Sequence, residues 1–363
     1  MDNREVDSRM NWILHIEEVN SSKTKSAYYT EYEICSEVRI TGQLNYKDDS
    51  IRCQLLEEKN AKGLYTYQLT VKHIEKEYKF NRNNYSNEGY YFEEGLVGEL
   101  LAIFSVFFQC RFYLKTSCTN SGFRYRYKFT YSQPEKLINY EMFTNQNRNW
   151  CNQNNNLEDF LNKIISLNQK YHQKLINSFF WYAEGIKELG INSQLFFIKM
   201  TSCIEPLLKF TPNKKSNDLE RKVTNLIRKS IFNNSETEEL ENWLKNRNIK
   251  KRFVNFIAKY SKGFFKSGRR KRKNSHIYKS KLNEFTKIIY NARSKFLHEG
   301  TPMYLSMEPN IDSEKHVDID GTLGMMSDRK KFNTKEKLPR PRWFERIVNH
   351  CLQNFIEEKR LIR

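Results

Sequence analysis

The spacing of apolar residues changes period part-way along this chain, and that change limits its fold more than any other feature. Residues 28–40 and 64–74 are rich in Tyr, Thr, Val and Ile and read as strands, with Gly63 and the Asn-rich cluster 81–87 supplying turns. Residues 92–110 are apolar on nearly every side and open with Glu93 and Glu94, which predicts a buried helix. Residues 111–115 and 123–131 return to strand. From Leu157 onward the period is helical: 157–189 give one long or two short helices closing at Gly190, then 193–210, 219–232 and 236–260, and a last helix from Pro339 to Arg360. On that last helix Trp343, Phe344, Ile347, Val348, Leu352 and Phe355 are expected to pack, and Arg346 and His350 to be structural. The order is α+β: a mainly β N-terminal domain with one buried helix, followed by an all-α bundle.

Between the two regimes lies Asn145-Gln146-Asn147-Arg148-Asn149-Trp150-Cys151-Asn152-Gln153-Asn154-Asn155-Asn156. So much Asn and Gln cannot build a core, so the stretch reads as a linker or exposed loop, with domains at 1–150 and 151–363. Charge follows the same division. Residues 1–150 hold 20 Lys+Arg against 20 Asp+Glu, whereas 151–363 hold 42 against 23, so the whole formal excess of +19 belongs to the second part and a polyanion should dock there. A basic surface that only aids solubility is the plainer reading.

Seven cysteines form no CxxC and no Cys/His cluster, which implies free thiols in a reducing cytoplasm. No basic-then-apolar leader opens the sequence. The longest apolar run, 96–108, is interrupted by Glu99 and is too short to span a bilayer, so no membrane association is expected.

The run Ile288-Ile289-Tyr290-Asn291-Ala292-Arg293-Ser294-Lys295-Phe296-Leu297-His298-Glu299-Gly300 has helical apolar spacing and ends on a glycine suited to a left-handed cap. Arg293 and His298, five apart, differ by about 140° around an ideal helix, so one straight helix does not aim both at one small group. Either the last turn unwinds at Gly300, or two copies of the helix face each other and pool their side chains. A permanent cation beside an imidazole that titrates near neutrality suits phosphodiester chemistry: histidine moves a proton and arginine steadies charge on phosphorus. Without a metal, the nucleophile must come from the substrate, which points to the 2′-OH of RNA and leaves DNA inert.

Three other features bear on a site. The segment Phe123-Arg124-Tyr125-Arg126-Tyr127-Lys128-Phe129 alternates aromatic and basic residues; it is either a surface that stacks bases or an ordinary half-buried strand with solvated charges. Between residues 245 and 281 stand 15 Lys or Arg and no Asp or Glu. Within that span Ser267-Gly268-Arg269-Arg270-Lys271-Arg272-Lys273-Asn274 reads as a loop, either a phosphate grip with Phe264, Phe265 and Tyr278 beside it for stacking, or a solvated charge run. Asp312, Asp318 and Asp320 lack the spacing of a calcium loop, so no metal is expected there or elsewhere, and His316 reads as a surface residue. Residues 301–340 read as an irregular loop over the site.

The 288–300 run resembles the signature of the HEPN superfamily, the Apea-like HEPN domains in particular, in which a tyrosine precedes Arg-Ser-Lys-hydrophobic-hydrophobic-His-Gly. Here that pattern is Tyr290, then Arg293 to His298, with Glu299 inserted before Gly300. Ser294 stands where many HEPN ribonucleases carry Asn, Asp or His, and fits the Apea-like subset. The segment Thr201-Ser202-Cys203-Ile204-Glu205-Pro206-Leu207-Leu208 is similar to the helix that carries an Ala-Leu-Glu pattern in those domains, Glu205 matching its acidic residue and Pro206 departing from it with an expected kink. A carboxylate in an apolar helix needs a partner: Arg293 or His298, or else a lysine for structure alone.

The resemblance is tight over 288–300 and loose over the rest of 157–363. It implies a HEPN helical bundle, a homodimer with one composite site, and metal-independent endonucleolytic cleavage of RNA without a cofactor. The products would be a 2′,3′-cyclic phosphate or its 3′-phosphate, and a 5′-hydroxyl. It further implies a toxin or anti-phage effector, partnered by an antitoxin or a phage-derived trigger. On this reading His298 is the general base or acid, Arg293 stabilises the phosphorane, and Ser294 and Glu205 orient the pair. Lys295, Tyr290, Arg269, Arg270, Lys271, Arg272 and Lys273 would hold RNA, and the N-terminal module would sense a substrate or trigger. The alternatives are a non-catalytic HEPN module for nucleic-acid binding or signalling, and a DNA-binding regulator, against which stands the lack of a recognisable helix-turn-helix.

Overall fold

The computed structural model describes residues 10–21, 27–58, 63–74, 95–120, 127–130, 148–149, 151–152, 155–210, 225, 249–266, 277–303, 326–327, 330–331 and 338–360. Among these the chain is α+β, an antiparallel sheet followed by helices. Contacts divide it into two compact units, residues 1–191 with 356–363, and residues 192–355.

The first unit opens with α1 (Asn11–Ser21), β1 (Ala27–Ser36), β2 (Ile40–Thr41), β3 (Gln43–Tyr46), β4 (Ile51–Glu57) and β5 (Tyr65–Ile74). Then come α2 (Gly95–Phe108), β6 (Tyr113–Asn120), β7 (Tyr127–Thr130), β8 (Arg148–Asn149), α3 (Leu157–Ile165) and α4 (Gln169–Glu188). Six strands pair antiparallel in the order β3-β4-β5-β1-β6-β7. Strand alternation does the packing: Leu44 pairs with Cys53 and Cys53 with Leu69, while Tyr46 pairs with Ile51 and Ile51 with Val71. These two cross-strand rows are fully buried.

The expected buried helix is α2, in which every residue from Val97 to Phe108 is buried. Glu99, on sequence only an interruption, has a structural task. Its carboxylate accepts from the backbone N–H groups of Asn11 (3.1 Å) and Trp12 (2.9 Å) and from Asn11 Nδ2 (2.9 Å). The first turn of α1 leaves such N–H groups without helical partners, and the helix dipole favours an anion there.

The compact units divide after residue 191, whereas composition changes near 150. Part of the Asn-rich stretch is sheet: β8 pairs parallel with β2, and Asn156 caps α3 by accepting from the Glu158 N–H at 2.9 Å. Helices α3 and α4 are then fastened to the strands. Tyr46 donates to Asn162 Oδ1 (2.8 Å), Phe107 meets Phe160 (5.4 Å between ring centroids), and buried Arg111 donates to the carbonyls of Ile186 (3.0 Å) and Leu189. Carbonyls at a helix end lack intrahelical donors, so a guanidinium aimed at them holds α4 in place.

The second unit contains α5 (Ser193–Ile204), a 3-10 turn (Glu205–Phe210), α6 (Ile249–Tyr260), α7 (Leu282–Glu299) and α8 (Pro341–Arg360) through Phe355. Asn192 caps α5 by accepting from the N–H groups of Gln194 and Leu195. The kink expected at Pro206 is a change of helix type at Glu205, because proline cannot donate to the preceding turn. Pro341 opens α8, and the six residues expected to pack on it are buried. Phe344 stacks on Phe197 (5.5 Å), and Phe355 meets Tyr260 (5.4 Å) and Phe256 (6.0 Å). His350 shares a hydrogen bond with the Lys262 carbonyl (2.9 Å) and Arg346 lies over Phe264 (5.7 Å), in keeping with structural roles for both.

All but residue 225 of the expected helix 219–232, residues 236–248 of the expected helix 236–260, the loop holding Arg269, Arg270, Lys271, Arg272 and Lys273, and 304–325 with Asp312, His316, Asp318 and Asp320 lie outside the described residues. So do residues 123–126 of the aromatic and basic strand. Cys35, Cys53, Cys110, Cys203 and Cys351 are buried free thiols. Among the described residues no helix is long and apolar enough to cross a membrane.

Candidate functional site

The fully buried residues of α7, Leu282, Thr286 and Ile289, follow helical spacing and stand toward its start. Beyond Ile289 the same stripe reaches Arg293, Phe296 and Leu297, yet Leu297 is 46% exposed. Among the described residues nothing buries Leu297, while Phe296 is half-buried. The helix closes as expected, with Gly300 at φ 65°, its N–H donating to the Phe296 carbonyl (3.2 Å) and the Thr301 N–H donating to the Lys295 carbonyl (3.4 Å).

Because α7 stays helical to Glu299, the last turn does not unwind, and one of the two ways of uniting Arg293 with His298 is closed. The two remain about 140° apart around the axis. Arg293 faces inward, and its Nη2 lies 3.0 Å from Glu205 Oε1 and 3.1 Å from Oε2. Of the partners left open for Glu205, namely Arg293, His298 or a lysine, the structure selects Arg293. The pair is mostly withdrawn from water, the side chains keeping 16% and 27% of their exposure. Arg293 Nε is buried and has no hydrogen-bond partner among the described residues. Tyr290 packs on Phe253 of α6 (5.3 Å) with its ring 5.9 Å from the Arg293 guanidinium carbon, so guanidinium, carboxylate and phenol form one cluster.

The electrostatics of the cluster follow from its burial. Desolvation pushes the Glu205 carboxyl above its usual range, and the Arg293 charge pulls it partly back. Burial, then the Glu205 charge, raise the Tyr290 phenol, with Arg293 opposing. His298 stands apart as an exposed residue, Lys295 is exposed and Ser294 is half-buried. Within one chain, then, Arg293, Glu205 and Tyr290 meet, and His298 does not join them.

Of the aromatic residues expected beside the basic loop, Phe264 is engaged with Trp343 (6.2 Å), and Tyr278 is 48% exposed. The cations between 245 and 281 are not confined to the loop: Lys250, Lys251 and Lys259 on α6 and Lys262 in the turn after it are exposed. Helical wheel geometry applied to 249–260 would have found Lys251 and Lys259, since Phe253, Val254, Phe256, Ile257 and Tyr260 define the inward face; Lys250 shares that arc and is exposed because it stands in the first turn. Among the described residues no group of three His, Cys, Asp or Glu side chains is placed to hold a metal ion. Compared with protein-family models, curated proteins and solved structures, the chain matches none.

Proposed function

We propose that this chain is an endoribonuclease of the HEPN type whose active site forms between two copies. One observation carries the reading: α7 presents a pre-oriented guanidinium on one face and an exposed imidazole on another, at the end of a helix whose apolar stripe finishes in Leu297, exposed among the described residues. A second copy covering that stripe supplies the missing half of each site, His298 of one copy meeting Arg293 of the other. The 2′-OH attacks phosphorus, histidine takes its proton, Arg293 offsets the charge on the phosphorane, and the 5′-oxygen departs with a proton. The strand breaks to a 2′,3′-cyclic phosphate and a 5′-hydroxyl, with no metal or cofactor required. Glu205 and Tyr290 hold Arg293 in place, Ser294 assists, and Lys295 with the 269–273 cations grips RNA. A growth-arresting or anti-phage role, and control by an antitoxin or phage-derived trigger, rest on the sequence resemblance alone.

The decisive experiment mixes two inactive variants. Arg293→Ala and His298→Ala should each lower RNA cleavage by roughly 10²- to 10⁴-fold. A heterodimer of the two keeps one intact site, so equilibrated mixtures should recover about a quarter of wild-type activity. No recovery, or full cleavage by His298→Ala, would sink the reading, as would cleavage of DNA or abolition by EDTA. The alternative of a non-catalytic binding module draws on one feature, that Glu205 already occupies Arg293 Nη2. Wild-type protein that binds RNA without cleaving it would favour that alternative.

A further inference from the structure

The cations of α6 form a surface that the cleavage chemistry does not use. From Ile249 to Lys266 the chain carries six Lys or Arg and no acid, and no Asp or Glu stands anywhere from 245 to 281. Lys250, Lys251 and Lys262 are exposed and make no ion pair with any described residue. Lys259, by contrast, lies over its neighbour Tyr260 (4.7 Å). Positive side chains crowded without counter-charges repel one another, and nothing in the packing of α6 asks for them: its inward face is already supplied by Phe253, Val254, Phe256, Ile257 and Tyr260. Lys250 and Lys251 begin the row and Lys262 ends it roughly 17 Å further on, room for several phosphates. The row starts beside the candidate site, because Phe253, next in the chain after Lys250, Lys251 and Arg252, touches Tyr290 of the Arg293 cluster.

We infer that the outward face of α6 is a track for the phosphates of single-stranded RNA, running from the Arg293 cluster toward Lys262. The identity of the polyanion rests on the proposed function; the track itself does not depend on cleavage. Contacts of this kind carry affinity and little sequence preference, and each phosphate neutralised on a single strand contributes about 0.7 to the slope of log affinity against log salt.

The test uses the full chain carrying His298→Ala, so that RNA survives, with and without Lys250→Gln/Lys251→Gln/Lys262→Gln. Binding of a short labelled single-stranded RNA is measured between about 50 and 200 mM salt. The triple variant should bind at least tenfold more weakly at the lower salt, with a slope smaller by about 2. Its thermal midpoint should be unchanged or higher, since repulsion is relieved. Unaltered affinity and slope in a folded variant would overturn the track, as would binding to anionic phosphatidylglycerol vesicles with none to RNA. Weakened binding together with a wild-type protein that never cleaves would leave the track standing and remove the ribonuclease. Cleavage with binding indifferent to these lysines would do the reverse.

Discussion

At the scale of single residues, the Arg293–Glu205 pair shows how a costly group becomes useful. A carboxylate where the apolar α5 ends is tolerable only against a fixed cation, and the pair in turn fixes that cation's orientation. Removing Glu205 alone leaves a mostly buried guanidinium uncompensated. Glu205→Ala should therefore lower stability by about 1–2 kcal/mol, and adding Arg293→Ala should cost little more. Urea unfolding of the four-member cycle measures this, and additive losses would show that the pair does not couple. His73 supplies a pH dependence in the first unit. It stacks on Tyr28 (5.0 Å) and meets the edge of His15 (4.8 Å). Burial chiefly, and then His15, push it down to about 4, with Glu18 opposing. The fold thus favours the neutral ring, so stability from this group is complete above about pH 6.5 and declines as pH falls toward 4. His73→Gln should flatten that part of the stability profile, and an unchanged profile would assign the acid sensitivity elsewhere.

At the scale of elements, two helix ends are set by residues outside ordinary propensity. Gly300 ends α7 with positive φ, and a Cβ built there meets nothing within 4 Å. Gly300→Ala should then cost only backbone strain, about 1–2 kcal/mol, and Gly300→Asn less, by thermal or chemical unfolding. A larger loss would mean that a packing contact is involved. Glu99 acts across sequence rather than along it: a side chain in the middle of α2 caps α1, 87 residues away. Glu99→Ala strips acceptors from buried donors and should destabilise by about 1–3 kcal/mol. The caps differ in how far the sequence shows them. Gly300 follows its own helix and is readable as a stop, whereas Glu99 looks like a flaw in an apolar run until α1 is placed over it.

At the scale of the whole molecule, the position of the boundary has a practical consequence. A fragment starting at residue 151 would carry α3 and α4 without α2, β8 or Arg111, and so would expose Phe160 and leave the end of α4 without its guanidinium. Such a fragment should keep an unfolding transition for residues 192–355 but lose the far-ultraviolet helical signal of α3 and α4. Full helix content in α3 and α4 would favour the boundary by composition.

Taken alone, the sequence determines the class of the elements with a clear apolar period, because period and helix stops are local: the longer strands, the buried α2, the cap at Gly300, the packing face of α8; α1 and β8 it does not show. It also places Arg293, His298 and Glu205 as residues in need of partners. Tertiary structure decided which partner each received. Glu205 found Arg293, Glu99 found α1, and Arg111 tied α4 to the strands, while His298 was left at the surface. Hydrogen bonds and ion pairs form between groups distant in the chain, and no local pattern encodes the distance between them.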